Sequence, residues 1–286
     1  MAIARKREGV LFELEQILEV LFAYRIPVYV LTFLLIVAPF RYQYALVHPE
    51  IIFLAISFSS LMAFIYLLNK VTDTVEDAIN VKGGPIARAA RLRTFLLALA
   101  CLLFPLPYLF VFDPRLLLTY GVVALLGFYY SHELPFIQNS FRLKQVLVVK
   151  NAIIGLLFAL PPVAVQVAVL AERVSSQSVT DIVALFCVFF TFGMLRDVRD
   201  VEGDLVADIR TIPNTFGLRT TQIVGTALLG VYSLLVLPLH FSLFSTLGVV
   251  VALGFVWGSS QHRGVWFYYA NLLAGIVFLF LLGFRA

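Results

Sequence analysis

Residues Arg196–Asp208 read RDVRDVEGDLVAD and follow directly on the apolar run Ile182–Leu195. They place Asp197, Asp200, Glu202, Asp204 and Asp208 close together in a chain of 286 residues that is 61% hydrophobic and only 13% charged. At about 100° per residue, Asp197, Asp200, Asp204 and Asp208 fall within roughly 80° of one helical face, with Gly203 the expected point of helix breakage. Carboxylates that close repel one another and raise each other's pKa unless a cation sits among them. Hard divalent cations take oxygen ligands, and Mg²⁺ is commonly held by a few carboxylates plus the phosphates of a substrate. A solvated helix end neutralised by Arg196, Arg199 and Arg210 would give the same composition. Its position at the end of a long apolar run argues against that.

The mean hydropathy of +0.96 and the repeated apolar runs define an integral membrane protein. Cys101 and Cys187 both lie in apolar segments and suggest neither a disulfide framework nor a thiolate metal site. Met1–Glu19 is charged and lacks a small-residue cleavage site, so no secretory signal is expected. Residues 8–21 space their apolar positions as an amphipathic helix lying on the membrane surface. Nine spans follow, at about 22–40, 48–68, 94–112, 115–131, 146–170, 180–196, 220–239, 242–258 and 265–284. Asp113-Pro114 separates the third from the fourth. No Gly/Ser/Pro-rich linker divides the chain, which predicts one all-α domain over residues 1–286, a polytopic helical bundle of nine transmembrane helices. With the N-terminus in the cytoplasm, all but Arg41, Arg115, Arg173 and Arg285 of the 21 Lys and Arg fall on the inner side.

A second acidic run, Asn69–Asp77 (NKVTDTVED), ends the second span. Asn69, Asp73 and Asp77 recur every four residues, drifting about 80° in total, so their oxygens share one helical face. Together with Glu76, the two runs hold eight of the chain's 17 acids, all on the predicted cytoplasmic side. Ionisable groups at membrane depth are costly and by default mark function. Lys82, Arg88, Arg91, Arg93, Lys144, Lys150 and Arg210 crowd the same face. Acids for metals beside bases for phosphate oxygens suit a polyphosphate ligand; no nucleic acid is expected as a partner.

Asn69-x-x-x-Asp73-x-x-x-Asp77 and Asp197-x-x-Asp200-x-x-x-Asp204 resemble the two aspartate-rich motifs of the UbiA superfamily of intramembrane prenyltransferases. The separation of the motifs, the nine spans and the motif tails (Ala78-Ile79-Asn80; Arg210-Thr211-Ile212-Pro213 with Phe216-Gly217) are similar too, so the resemblance covers nearly the whole chain. It implies a bundle around a central cavity in which Mg²⁺ held by both motifs binds an isoprenyl diphosphate. There are two departures. Lys70 stands where the family commonly has Asp, and the family's Tyr-x-x-x-Lys element is missing at that spacing. Tyr129 and Tyr130 are followed by Glu133 and Leu134, and the nearest lysine is Lys144, which an insertion would have to bring back.

The chemistry expected of such a site is rupture of an allylic C–O bond, with cations stabilising the charge that develops on the leaving group. Metal ligands are expected at Asn69, Asp73, Asp200 and Asp204, with Asp77 and Asp197 as further candidates. Diphosphate contacts are expected from Arg25, Lys144 and Arg210, with Lys70, Lys150 and Tyr130 also candidates for the substrate site; Arg25 reads equally well as an interfacial arginine. Asp73, Asp200, Asp204 and Lys144 form the expected catalytic set. Prenyl transfer to a small-molecule or lipid acceptor is the first expectation. A cyclase of the same superfamily, acting without acceptor, is the alternative. A cation transporter would carry acids along its spans rather than at one end, and neither run matches the acidic signature of CDP-alcohol phosphotransferases.

Overall fold

The computed structural model describes residues 25–42, 48–73, 78–79, 88–133, 141–170, 173–237, 243–263, 267–268, 270–271 and 274. Among these, ten α-helices and two 3-10 turns are the regular structure: α1 (Ile26–Val37), α2 (Pro49–Thr72), α3 (Arg88–Leu103), α4 (Leu106–Phe112), α5 (Pro114–Ser131), α6 (Val149–Val169), α7 (Ser176–Arg199), α8 (Val201–Val206), α9 (Ile212–Val236) and α10 (Leu243–Gly258). The protein is an all-α polytopic membrane bundle. Four segments, Pro49–Thr72, Ala90–Phe112, Val149–Val169 and Ser176–Arg199, are long and apolar enough to cross a membrane. The expected surface helix at 8–21 lies outside the described residues, as does most of the ninth span at 265–284.

Local signals set most boundaries. Pro49 and Pro114 occupy the first helical turn, where a missing N–H costs nothing, and the Asp113 carboxylate caps α5 by accepting from the Arg115 N–H at 2.8 Å. Ser175 and Ser178 cap the start of α7 reciprocally, as Thr211 and Asn214 do for α9. Pro105 divides the third expected span into α3 and α4, since its ring cannot continue the helix. The seventh span begins eight residues earlier than hydropathy alone suggests, at Ile212. Its first turns are set off by a kink at Gly217, whose φ of 83° glycine adopts without a Cβ penalty.

The core is built where small residues let helices approach. Phe158 of α6 stacks on Phe189 of α7 with ring centroids 4.5 Å apart, and Ser60 of α2 donates to the Cys101 carbonyl of α3 at 2.8 Å. Tyr120 of α5 is fully buried and donates to the Leu102 carbonyl at 2.9 Å. The opposite faces stay apolar and outward: Phe104, Phe110, Val111 and Leu118 are each about two-thirds exposed or more, as suits side chains solvated by lipid. At Gly155 of α6 an added Cβ would lie 2.7 Å from the Phe186 ring and 3.2 Å from its carbonyl oxygen on α7. Because a backbone atom cannot swing aside, Gly155→Ala is expected to cost about 1–3 kcal/mol through overpacking. The check is the melting temperature in detergent; an unchanged value would mean that α6 and α7 are not closely apposed.

Candidate active site

The polar ends of several helices meet at one cavity. There Arg25 and Tyr29 at the start of α1, Tyr66, Asn69, Lys70 and Asp73 at the end of α2, and Tyr130 at the end of α5 face a common cavity. Lys144, Lys150, and Arg196, Asp197, Arg199, Asp200 and Asp204 complete its polar wall, while Ile65, Leu67, Ile154 and Leu157 supply apolar surface. The cavity volume is about 120 Å³. Both acidic runs therefore line one space, although they lie more than a hundred residues apart in the chain.

Asn69 and Asp73, the first two members of the first run, both line the cavity. α2 ends at Thr72, and Asp73 is the C-cap residue, its N–H bonded to the Asn69 carbonyl at 2.7 Å. Asp77 lies outside the described residues. Lys144 Nζ meets Asp73 Oδ1 at 2.5 Å, and Arg142 stands 3.9 Å from the same oxygen. The Ser131 hydroxyl donates to Asn69 Oδ1. Tyr130 and Lys144 thus reach the same cavity despite their separation in the chain. An antiparallel bridge pairs Glu133 with Arg142, and the 3-10 turn Leu143–Gln145 carries the buried Lys144, which lines the same cavity as Tyr130.

In the second run the helix breaks at Asp200 (φ −92°, ψ 11°), between α7 and α8, and not at the expected Gly203, which lies inside α8. The break is slight, because the Asp204 N–H still donates to the Asp200 carbonyl at 2.9 Å, so Asp197, Asp200 and Asp204 keep to the cavity side. Asp208 has a left-handed backbone (φ 54°) and is exposed, so it leaves the group. Arg199 holds Asp200 through two hydrogen bonds of 2.5 and 2.7 Å. Burial acts to raise the Asp200 carboxyl, but the Arg199 guanidinium, with Arg196 and Lys150 adding, brings it below the ordinary carboxylate range. Asp204 goes the other way: burial pushes it up to about 7, the Lys150 ammonium opposes, and repulsion from Asp197 adds.

The remaining basic residues expected at the substrate site fall in different places. Lys150 does not reach into open space but bridges Asp197 at 2.8 Å and Asp204 at 2.7 Å. Arg210 is exposed and absent from the cavity wall, its backbone N–H bonded to the Gln145 carbonyl at 3.4 Å; it sits past the turn at Asp208, which points the chain away. Arg25 does line the cavity, from a left-handed backbone (φ 59°) just ahead of α1. Sequence reasoning missed Tyr29 and Tyr66, whose rings lie 6.5 Å apart, the buried Tyr29 hydroxyl having no hydrogen-bond partner among the described residues. Their signal was available: Tyr29 follows Arg25 by four residues and Tyr66 precedes Asn69 by three, which places each on the same helical face.

Among the described residues no three acidic, histidine or cysteine side chains are gathered as a ready metal-holding group. The donor chemistry still fits a hard divalent cation. Asn69, Asp73, Asp197, Asp200 and Asp204, all bearing side-chain oxygens, line one cavity, and a cation already lies between Asp197 and Asp204 in the form of the Lys150 ammonium.

A membrane bundle with a charged internal cavity of this kind defines an integral membrane enzyme that handles a charged group beside apolar walls. The chain belongs to the UbiA prenyltransferase family, whose model matches residues 26–283. Its fold is similar to that of a UbiA homologue from Archaeoglobus fulgidus bound to DMAPP and Mg²⁺, with 16% identity, 92% of this chain and 98% of that chain covered, and a TM-score of 0.64. The same homologue bound to GPP and Mg²⁺ gives 15% identity, 93% and 98% coverage and a TM-score of 0.65. The apo structure of a UbiA homologue from Aeropyrum pernix K1 gives 14%, 89% and 95% coverage, and 0.66. No curated protein matches the sequence significantly.

Proposed function

We propose that the protein transfers an isoprenyl group from a prenyl diphosphate to a small-molecule or lipid acceptor within the membrane, in a Mg²⁺-dependent reaction. The observation that carries this is the single cavity lined by both acidic runs together with Lys144. Support comes from the diphosphates and Mg²⁺ bound by the Archaeoglobus fulgidus homologue.

In the reaction an allylic C–O bond breaks, its electron pair leaves with the diphosphate, and the carbocation is captured by an electron-rich acceptor that then gives up a proton. Asn69, Asp73, Asp200 and Asp204 would hold the metal, with Asp77 and Asp197 as further ligands. Bound there, Mg²⁺ supplies positive charge against the charge developing on the leaving group. Lys144, Arg25 and Lys70 line the same wall and donate to phosphate oxygens. The rings of Tyr29, Tyr66 and Tyr130 line the cavity with Ile154 and Leu157; together they would exclude water, and the rings would offer π-systems to the allylic cation.

The cavity is proposed to open to the cytoplasm, because that orientation puts most Lys and Arg inside. One experiment tests substrate and sidedness together. Inverted sealed vesicles containing the protein, supplied with Mg²⁺, a prenyl diphosphate and a lipid extract, should release diphosphate and yield prenylated products by mass spectrometry, whereas right-side-out vesicles should do so only after lysis. A cyclic hydrocarbon or alcohol formed by purified protein without acceptor would replace this proposal with the cyclase alternative. Activity only on the opposite side would reverse the orientation.

A further inference from the structure

Resting on the prenyl-diphosphate reading for the metal itself, we propose that Lys150 is a built-in counter-cation of the second acidic run, and that metal loading there is an exchange in which a divalent cation takes Asp197 and Asp204 from the lysine ammonium. One Nζ reaches both acids, 2.8 Å from Asp197 Oδ1 and 2.7 Å from Asp204 Oδ2. The three side chains are only 10%, 3% and 5% exposed. Charges so far from water persist when paired and are strongly destabilising when one partner is removed. Without Lys150, two carboxylates would face each other in a low-dielectric wall, with a third, Asp200, beside them on it.

The chain aims this lysine at a cost. Val148, the residue before α6, has φ 70° and ψ −37°, a region that β-branched residues rarely enter, and the first turn of α6 then delivers Lys150 inward. The triad is also incomplete on one side. Asp197 lines the cavity, and its Oδ2 is buried with no hydrogen bond within 3.5 Å among the described residues, the Asn151 side chain being the other polar neighbour of this carboxylate. A divalent cation bound by these carboxylates would stand within a few ångströms of Nζ, where like charges repel strongly in a poorly solvated site. Metal binding therefore displaces the ammonium from at least one acid. The displaced ammonium remains on the cavity wall, where phosphate oxygens can receive it. Lys150 is thus a positioning residue before metal arrives and a competitor that weakens metal affinity.

The test uses the full-length protein in detergent with Mn²⁺ as probe, free Mn²⁺ being read by electron paramagnetic resonance and folding by the melting temperature. Lys150→Met keeps the length of the side chain without its charge, and the milder Lys150→Gln keeps a hydrogen-bond donor should the first variant fail to fold. Both neutral variants are expected to bind Mn²⁺ at least about tenfold tighter than the wild type, because a like charge at contact distance has gone. In EDTA they should melt below the wild type, and Mn²⁺ should raise their melting temperature by more than it raises that of the wild type. Lys150→Arg should melt in EDTA like the wild type. Neutral variants that bind Mn²⁺ no tighter, or that melt in EDTA at the wild-type temperature, would overturn the proposal while leaving the prenyl-diphosphate reading standing. Absence of Mn²⁺ binding by every form, with inorganic pyrophosphate present, would remove both.

Discussion

Asp200→Asn is expected to lower prenyl-diphosphate turnover by at least about a hundredfold, the scale of losing one group that stabilises developing charge. Asp200 is a demanding place for this test because the amide keeps the shape of the carboxylate and removes only its charge. It caps the end of α7, lines the cavity and is gripped by Arg199 at 2.5 and 2.7 Å. With its carboxyl held below the ordinary range, it stays ionised through neutral pH. A drop in turnover with a near-normal melting temperature would locate the loss in the site rather than in folding. Near-normal turnover would mean that the Asp200 carboxylate carries none of the charge the reaction requires.

Removing divalent cations should have the larger effect, taking turnover below about one-hundredth of its value with Mg²⁺ and restoring it when Mg²⁺ or Mn²⁺ is added back. The cations nearest the acids are already engaged: Lys144 with Asp73, Lys150 with Asp197 and Asp204, and Arg199 with Asp200. To neutralise a diphosphate by themselves they would have to leave those carboxylates, which would then face phosphate oxygens from a buried wall. Desolvated like charges in such a site are strongly unfavourable. Divalent cations avoid this by serving carboxylate and phosphate together. Turnover that survives exhaustive EDTA treatment would show that lysines and arginines alone carry the leaving group.

Span placement was largely legible because hydropathy and helical periodicity are local properties. The first eight expected spans each coincide with helix, and the errors fall where a local device overrides composition: Pro105 within the third span, and the capped, kinked start of α9 before the seventh. Asp73, Asp200 and Asp204 were legible for the same reason, as acids at helical spacing beside apolar runs. Tyr29, Tyr66 and Ser131 were not singled out, since aromatic and small polar residues are common throughout membrane helices.

What Lys144, Lys150 and Arg210 do could not be read from spacing at all. Lys144 meets Asp73 across 71 residues, just past a bridge that pairs Glu133 with Arg142. Lys150 meets Asp204 across 54 residues because α6 and α7 pack side by side, and Arg210 is turned away only a few residues from the run it seemed to serve. The amino-acid sequence alone determined the membrane class, the helical elements and the two clusters of acids, since each depends on residues within a few turns of one another. The pairing of each cation with its acid belongs to the tertiary structure. A charge buried in a membrane bundle takes as its partner whatever helix packing places within about 3 Å, and that neighbour is set by long-range packing rather than by position in the chain.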